Sequence, residues 1–273
     1  MSQTLFRIAR PFALVAAVGA TLIGLSIGRE GWAAPAVRHE TWNWSGNLAA
    51  GRTLEIRGIN GEIVAEPGAG DQVEVVAEKH GRKHDPALVR IKVNQDSDGV
   101  TICAIYPGKG SPCEPMHLSF SEPANDVEVD FHVKLPAGVA FTANNVNGAV
   151  RVRGLSGKLK VHTVNGECEI EAAGSGQAST VNGSVHATIG HADAHDELVF
   201  STVNGSIVLA LPAALDAEFS GSTVNGGIQS DFPATTSGRW GPRRVTATLG
   251  SGGARLTAST VNGSIRLQRT NER

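Results

Sequence analysis

Few residues of this sequence are of types that could do chemistry together, and each group has a competing structural use. The segment "GHADAHDE" (Gly190–Glu197) gathers His191, Asp193, His195, Asp196 and Glu197. Imidazole and carboxylate groups that close could hold zinc or a similar ion. Their spacing matches no closed structural set and no partner cluster stands elsewhere, so a solvated loop is expected, with no metal and no other cofactor. A polysaccharide-cleaving enzyme would draw on paired carboxylates, but Glu167, Glu169, Glu171, Asp216, Glu218 and Asp231 are scattered along the chain. Cys103 and Cys113 flank the turn-forming stretch "AIYPGKGSP" and either close a disulfide across it or remain free thiols. Trp240 stands beside Arg239, Arg243 and Arg244, which reads as a loop packing its indole or as a contact site for an anionic partner.

The most insistent signal is a repeated string. "STVNGS" occurs at Ser179–Ser184, Ser201–Ser206 and Ser259–Ser264, "STVNGG" at Ser222–Gly227 and "HTVNGE" at His162–Glu167. Looser copies are "NNVNGA", ending at Ala149, and "GINGE" at Gly58–Glu62. A catalytic site needs an asymmetric set of nucleophile, base and orienting group, and identical corners offer none. Asn-Gly tolerates positive φ and is favoured at tight turns. In a stacked coil the asparagines would also hydrogen-bond from copy to copy, and the preceding threonines would line a second ladder. The expected structural turn ladder is therefore Asn147, Asn165, Asn182, Asn204, Asn225 and Asn262. Three of these also satisfy the glycosylation sequon, a match that follows automatically from the repeat, and ladder asparagines would be inaccessible.

The gaps between those asparagines are 18, 17, 22, 21 and 37 residues. A period near twenty residues without helical patterning is the mark of a β-solenoid, each copy supplying one coil. The last gap is close to two ordinary ones, as if one copy had lost its signature. Three residues after each Asn stand Val150, Cys168, Val185, Ile207, Ile228 and Ile265, an inward column in which Cys168 acts as a small hydrophobe. Two further on come Val152, Ile170, Ala187, Leu209, Ser230 and Leu267, the alternation of a half-buried strand. Val203 and Ile207 are both expected to face inward.

The elements that must position these groups follow. Glycine is abundant at 33 residues and aromatics make up 5%, which favours an all-β chain with many turns. Residues 136–273 read as the parallel, β-helix-like solenoid. Residues 37–135 read as an irregular β-sandwich-like region containing a first repeat-like coil, placed to cover one open end. Residues 1–36 have the form of a signal peptide: Arg7 and Arg10 precede an apolar run, and Ala34-Pro35-Ala36 presents small residues to a peptidase. Cleavage after Ala36 is expected; if uncleaved, this segment is the only membrane attachment. A net charge of −2 gives no footprint for nucleic acid.

The six "VNG" copies, together with "GSGGARL" (Gly250–Leu256), resemble the bacterial "putative adhesin" domain family of unknown function. That resemblance implies an exported β-solenoid and supplies no catalytic residues. The expected function is a non-catalytic structural or interaction module, periplasmic or at the cell surface. It would bind a protein or other envelope surface component through extended solenoid faces, with Trp240, Arg243 and Arg244 as a candidate contact. The alternative is a carbohydrate-active or metal-dependent β-helix enzyme.

Overall fold

The computed structural model describes residues 37–107, 113, 125–173, 175–237 and 243–270. The signal-peptide reading and Trp240 lie outside the described residues. Period-two alternation between Gly- and Pro-rich turns yields strands nearly everywhere. The irregular region gives β1 (Arg38–Asn47), β2 (Thr53–Arg57), β3 (Ile63–Pro67), β4 (Gln72–Gly81), β5 (Arg90–Gln95), β6 (Gly99–Ile105) and β7 (Glu128–Leu135). The repeats give β8 (Ala140–Asn144), β9 (Val150–Leu155), β10 (Leu159–Asn165), β11 (Cys168–Ala173), β12 (Gly176–Asn182) and β13 (Val185–His191). They continue as β14 (Glu197–Asn204), β15 (Ile207–Leu211), β16 (Ala217–Asn225) and β17 (Ile228–Ser230). After these come β18 (Thr235–Ser237), β19 (Arg243–Leu249), β20 (Ala254–Asn262) and β21 (Ile265–Arg269).

The strands form two long sheets, one ordered β1-β4-β7-β3-β9-β11-β13-β15-β21-β17 and the other β18-β19-β16-β20-β14-β12-β10-β8-β2-β6-β5. Each coil contributes one strand to each sheet, and the Asn-Gly corner joins them. This is an all-β parallel solenoid with a mixed, irregular N-terminal region. Both sheets run without a break across Pro136: β2 pairs with β8 and β3 with β9, in parallel. Antiparallel partners finish three of the four sheet ends, namely β1 on β4, β5 on β6 and β18 on β19. Such strands interrupt the parallel stacking that an open edge would otherwise propagate.

The core lies between the sheets. Ile63, Val150, Cys168, Val185, Ile207 and Ile265 are fully buried on one side, each such aliphatic side chain contributing roughly 1.5–3 kcal/mol. On the other side Phe200 lies in register between Ala178 and Ala258, whose small side chains leave room for its ring. Ser230, an exception in its column, bonds through its hydroxyl to the Phe232 carbonyl (2.9 Å) and ends β17 in a turn.

Two expectations are corrected here. The first concerns Val203, which is 40% exposed, while Thr202 is buried instead. The strand phase is set by Ala or Phe two residues before Thr, and the buried hydroxyl is satisfied by a neighbouring carbonyl, so hydrophobicity misassigns the pair. The second concerns the 37-residue gap, which hides no lost coil. Its residues carry β18 and β19, and β19 pairs antiparallel with β16. The chain then returns and places β20 between β14 and β16, and β21 between β15 and β17. Sequence order and stacking order therefore differ at this end.

Ile207→Asp should cost roughly 4 kcal/mol or more by burying a charge, whereas Val203→Asp should stay within about 1 kcal/mol; paired thermal melts read the contrast. Deleting residues 251–273 should strip hydrogen-exchange protection from β16 and β17 as well, since both lose their parallel neighbour. Retained protection there would contradict the inserted order.

Candidate functional site

Each repeat corner except the last spends its polar atoms on the neighbouring coils. Asn147 Nδ2 donates to Asn60 Oδ1 at 2.9 Å, Asn165 to Asn147 at 2.9 Å and Asn182 to Asn165 at 2.8 Å. The series continues with Asn204 to Asn182 at 2.9 Å, Asn262 to Asn204 at 2.8 Å and Asn225 to Asn262 at 2.8 Å. Asn60 ends the row by donating to the Asn125 carbonyl at 3.4 Å. These side chains are exposed rather than inaccessible, because the row runs along the outside of the corner.

The adjoining glycines lock the backbone in the opposite direction, donating toward the Asn225 end of the stack where the asparagine side chains donate toward Asn60. The N–H of Gly148 donates to the Asn165 carbonyl (2.9 Å), that of Gly166 to Asn182 (3.0 Å) and that of Gly205 to Asn262 (3.0 Å). Gly61, Gly183 and Gly263 repeat the bond to Asn147, Asn204 and Asn225. Positive φ is needed at Gly61 (117°) and Gly148 (139°), but it does not explain the whole series. Close approach does. A Cβ on Gly205 would lie 1.9 Å from the Gly183 carbonyl oxygen, and one on Gly166 would lie 2.0 Å from that of Gly148. The buried hydroxyls of Thr163, Thr180, Thr202, Thr260 and Thr223 donate to those same glycine carbonyls, at 2.8–3.2 Å.

The residues with chemical potential are dispersed by this frame. In Gly190–Glu197, His191 Nε2 lies 3.1 Å from Asp193 Oδ1, while Asp196 accepts from the Asp193 N–H (2.7 Å) and from the Ser175 hydroxyl. Glu197 sits 3.9 Å from Arg255. Among the described residues, no three His, Cys, Asp or Glu side chains converge as a metal site would require. Glu169 pairs with Arg151 (3.1 Å) and Glu167 with His186 (3.2 Å). Asp216 and Asp231 accept main-chain N–H groups of Ser251 (2.6 Å) and Arg269 (3.2 Å). Arg243 and Arg244 open β19 as exposed residues opposite Thr223 and Ser222.

The cysteines divide by environment. Cys103 and Cys113 are joined by a disulfide with Cα atoms 5.7 Å apart. Cys168 is fully buried, and burial, with a smaller push from Glu167, drives its thiol pKa up to about 12. That is the wrong direction for a nucleophile.

Sequence reasoning missed a polar group in the N-terminal region. His39 and His80 face each other across β1 and β4 with Nδ1 atoms 2.7 Å apart, and His80 Nε2 lies 3.5 Å from Asp130 Oδ2. Burial holds the Asp130 carboxyl above its usual range, against the opposing charges of His80 and His132. Asp126 is displaced the other way. It accepts the N–H groups of Lys83, His84 and Arg82, and the His84 ring, bonds that favour the ionised carboxylate. Partners about forty residues apart leave no local signal; only the pairing of β4 with β1 and β7 brings them together.

The repeat, its corner chemistry and the two-sheet coil agree with one family model, that of Toastrack DUF4097, which matches residues 116–268. The chain belongs to this family. No curated protein matches this Toastrack chain. Among solved structures, a "putative cell adhesion protein" of Clostridium sporogenes covers 85% of it and 100% of its own length, at 9% identity and a TM-score of 0.44. A "putative adhesin" of Bacteroides fragilis covers 85% and 98%, at 13% identity and a TM-score of 0.42. Such likenesses carry no argument about what this Toastrack protein binds. Among its described residues no helix is long and apolar enough to cross a membrane.

Native Cys168 should resist iodoacetamide up to about pH 9 and react once the chain is unfolded. Because the folded thiol holds its proton above the pH at which the unfolded one loses it, stability should fall as pH rises beyond about 9. Rapid native labelling, read by mass spectrometry, would contradict the buried placement.

Proposed function

We propose that this Toastrack protein is an exported, non-catalytic interaction module of the cell envelope, periplasmic or surface-exposed and adhesin-like, which binds a protein or other surface component through an extended solenoid face. The observation that carries this reading is the outer surface of the second sheet. Ser179, Ser201, Ser259 and Ser222 lie in register across four successive coils. The parallel row reads Gln177, Val199, Thr257 and Ser220, and Thr246 extends it onto β19. Neither row carries a charge, and the parallel coils repeat at about 4.8 Å. A flat field of hydroxyls suits broad, additive contact with an extended partner rather than enclosure of a small substrate.

At the end of this face, Arg243 and Arg244 supply the charge that the rows lack, and Trp240, three residues before Arg243 in the sequence, is the aromatic candidate for the same contact. Of the carboxylates that an enzyme would need, Glu167, Glu169, Asp216 and Asp231 are engaged locally by a histidine, an arginine or a main-chain N–H, and Glu218 by the Thr248 hydroxyl, which supports binding over turnover. The ladder asparagines and the Cys103–Cys113 disulfide serve in this reading as stiffeners of the binding surface, and residues 37–135 as its end cover.

Residues 37–273 should capture a specific partner from envelope extracts. A Ser201→Arg/Thr257→Arg variant and a Trp240→Ala/Arg243→Glu variant should each lose most of that capture while melting like the parent. Undiminished capture by both variants would refute the proposed face.

A further inference from the structure

Asn-Gly is the dipeptide most prone to succinimide formation, because glycine leaves the attacking amide nitrogen unhindered, and this chain carries seven copies of it in the stack. Six are held by the coil above. In each, the glycine N–H that must act as nucleophile is bound to an asparagine carbonyl, and the Asn Oδ1 accepts an Nδ2–H from the neighbouring asparagine. Because β16 and β17 form the last coil, the seventh has no coil above it. Asn225 donates to Asn262, but among the described residues nothing donates to its Oδ1 and nothing accepts from the Gly226 N–H. Gly226 is also the one exposed glycine of the seven.

We infer that Asn225-Gly226 is a site of spontaneous modification to isoaspartate and aspartate in the folded protein, while the other six asparagines are protected by the stack. The deprotonated Gly226 nitrogen attacks Asn225 Cγ, the bond from Cγ to the side-chain nitrogen breaks, and ammonia leaves with the proton it gains. The resulting five-membered imide then adds water at one of its two carbonyls, opening to aspartate or isoaspartate. Water is the only co-reactant. The product no longer donates to Asn262 Oδ1 and presents a carboxylate to that oxygen. In the isoaspartyl form an extra main-chain methylene enters the corner between β16 and β17, so the terminal coil loosens from β20 and β21.

The test is to age the folded protein at pH 8.5 and 37 °C, with a parallel sample in urea. Peptide mapping and isoaspartyl methyltransferase labelling then read each Asn-Gly. In the folded sample position 225 should carry at least about tenfold more product than any other copy, since the others react only after local opening; in urea all seven should react. Asn225→Gln should remove the folded-state signal without moving it to another copy. Equal reaction at several copies, dominance of a different one, or no reaction at 225 in a folded sample whose urea control reacts would overturn the assignment.

Discussion

Coil-to-coil distance at the Asn-Gly corner is the constraint on which the rest depends. Parallel strands stack at about 4.8 Å, and at this corner the chain turns directly beneath the chain above it. A glycine carbonyl from one coil points at the glycine Cα of the next, so closely that a Cβ would overlap it: 1.8 Å at Gly148 and 1.9 Å at Gly263. The threonine that precedes five of the seven Asn-Gly pairs by two residues, or Asn145 before a sixth, satisfies that carbonyl from inside, and the asparagine binds its own counterpart from outside. Three neighbouring residues thus answer one geometric demand. The valine between them faces out because its neighbours on either side are committed.

The same view explains how much of the molecule could be read without coordinates. The period and the inward column from Val150 to Ile265 were legible because each residue there answers to burial alone, and burial is written in residue type. Val203 was misread because Thr202 is polar by type yet buried, its hydroxyl satisfied by a carbonyl from another coil. No local pattern could reveal the pairing of His39 with His80, or the capture of three N–H groups by Asp126, since both depend on strands distant in sequence. The corner glycines were rightly placed at a turn for a reason that proved secondary: φ matters at two of them, and crowding at the series.

Repetition also shapes what function can be. Residue types that would elsewhere suggest chemistry, among them asparagine, threonine, carboxylate and thiol, are taken up by stacking, local pairing or burial. What remains free is the regular outer face itself and the places where regularity stops. In the described residues those places are the antiparallel ends and the uncapped corner at Asn225; the interaction reading rests on the outer face, and the modification reading on the uncapped corner.

The inserted final coil has a consequence for the order of assembly. A solenoid whose coils stack in sequence order can be completed one turn at a time as the polypeptide emerges. Here the turn made of β16 and β17 emerges before the β20–β21 turn on which it must rest. Vectorial growth therefore halts at β15, and the intervening segment has to wait, or dock provisionally and be displaced. Completion of this end requires the latest-made strands, so a chain interrupted before them is left with a coil that lacks its parallel neighbours.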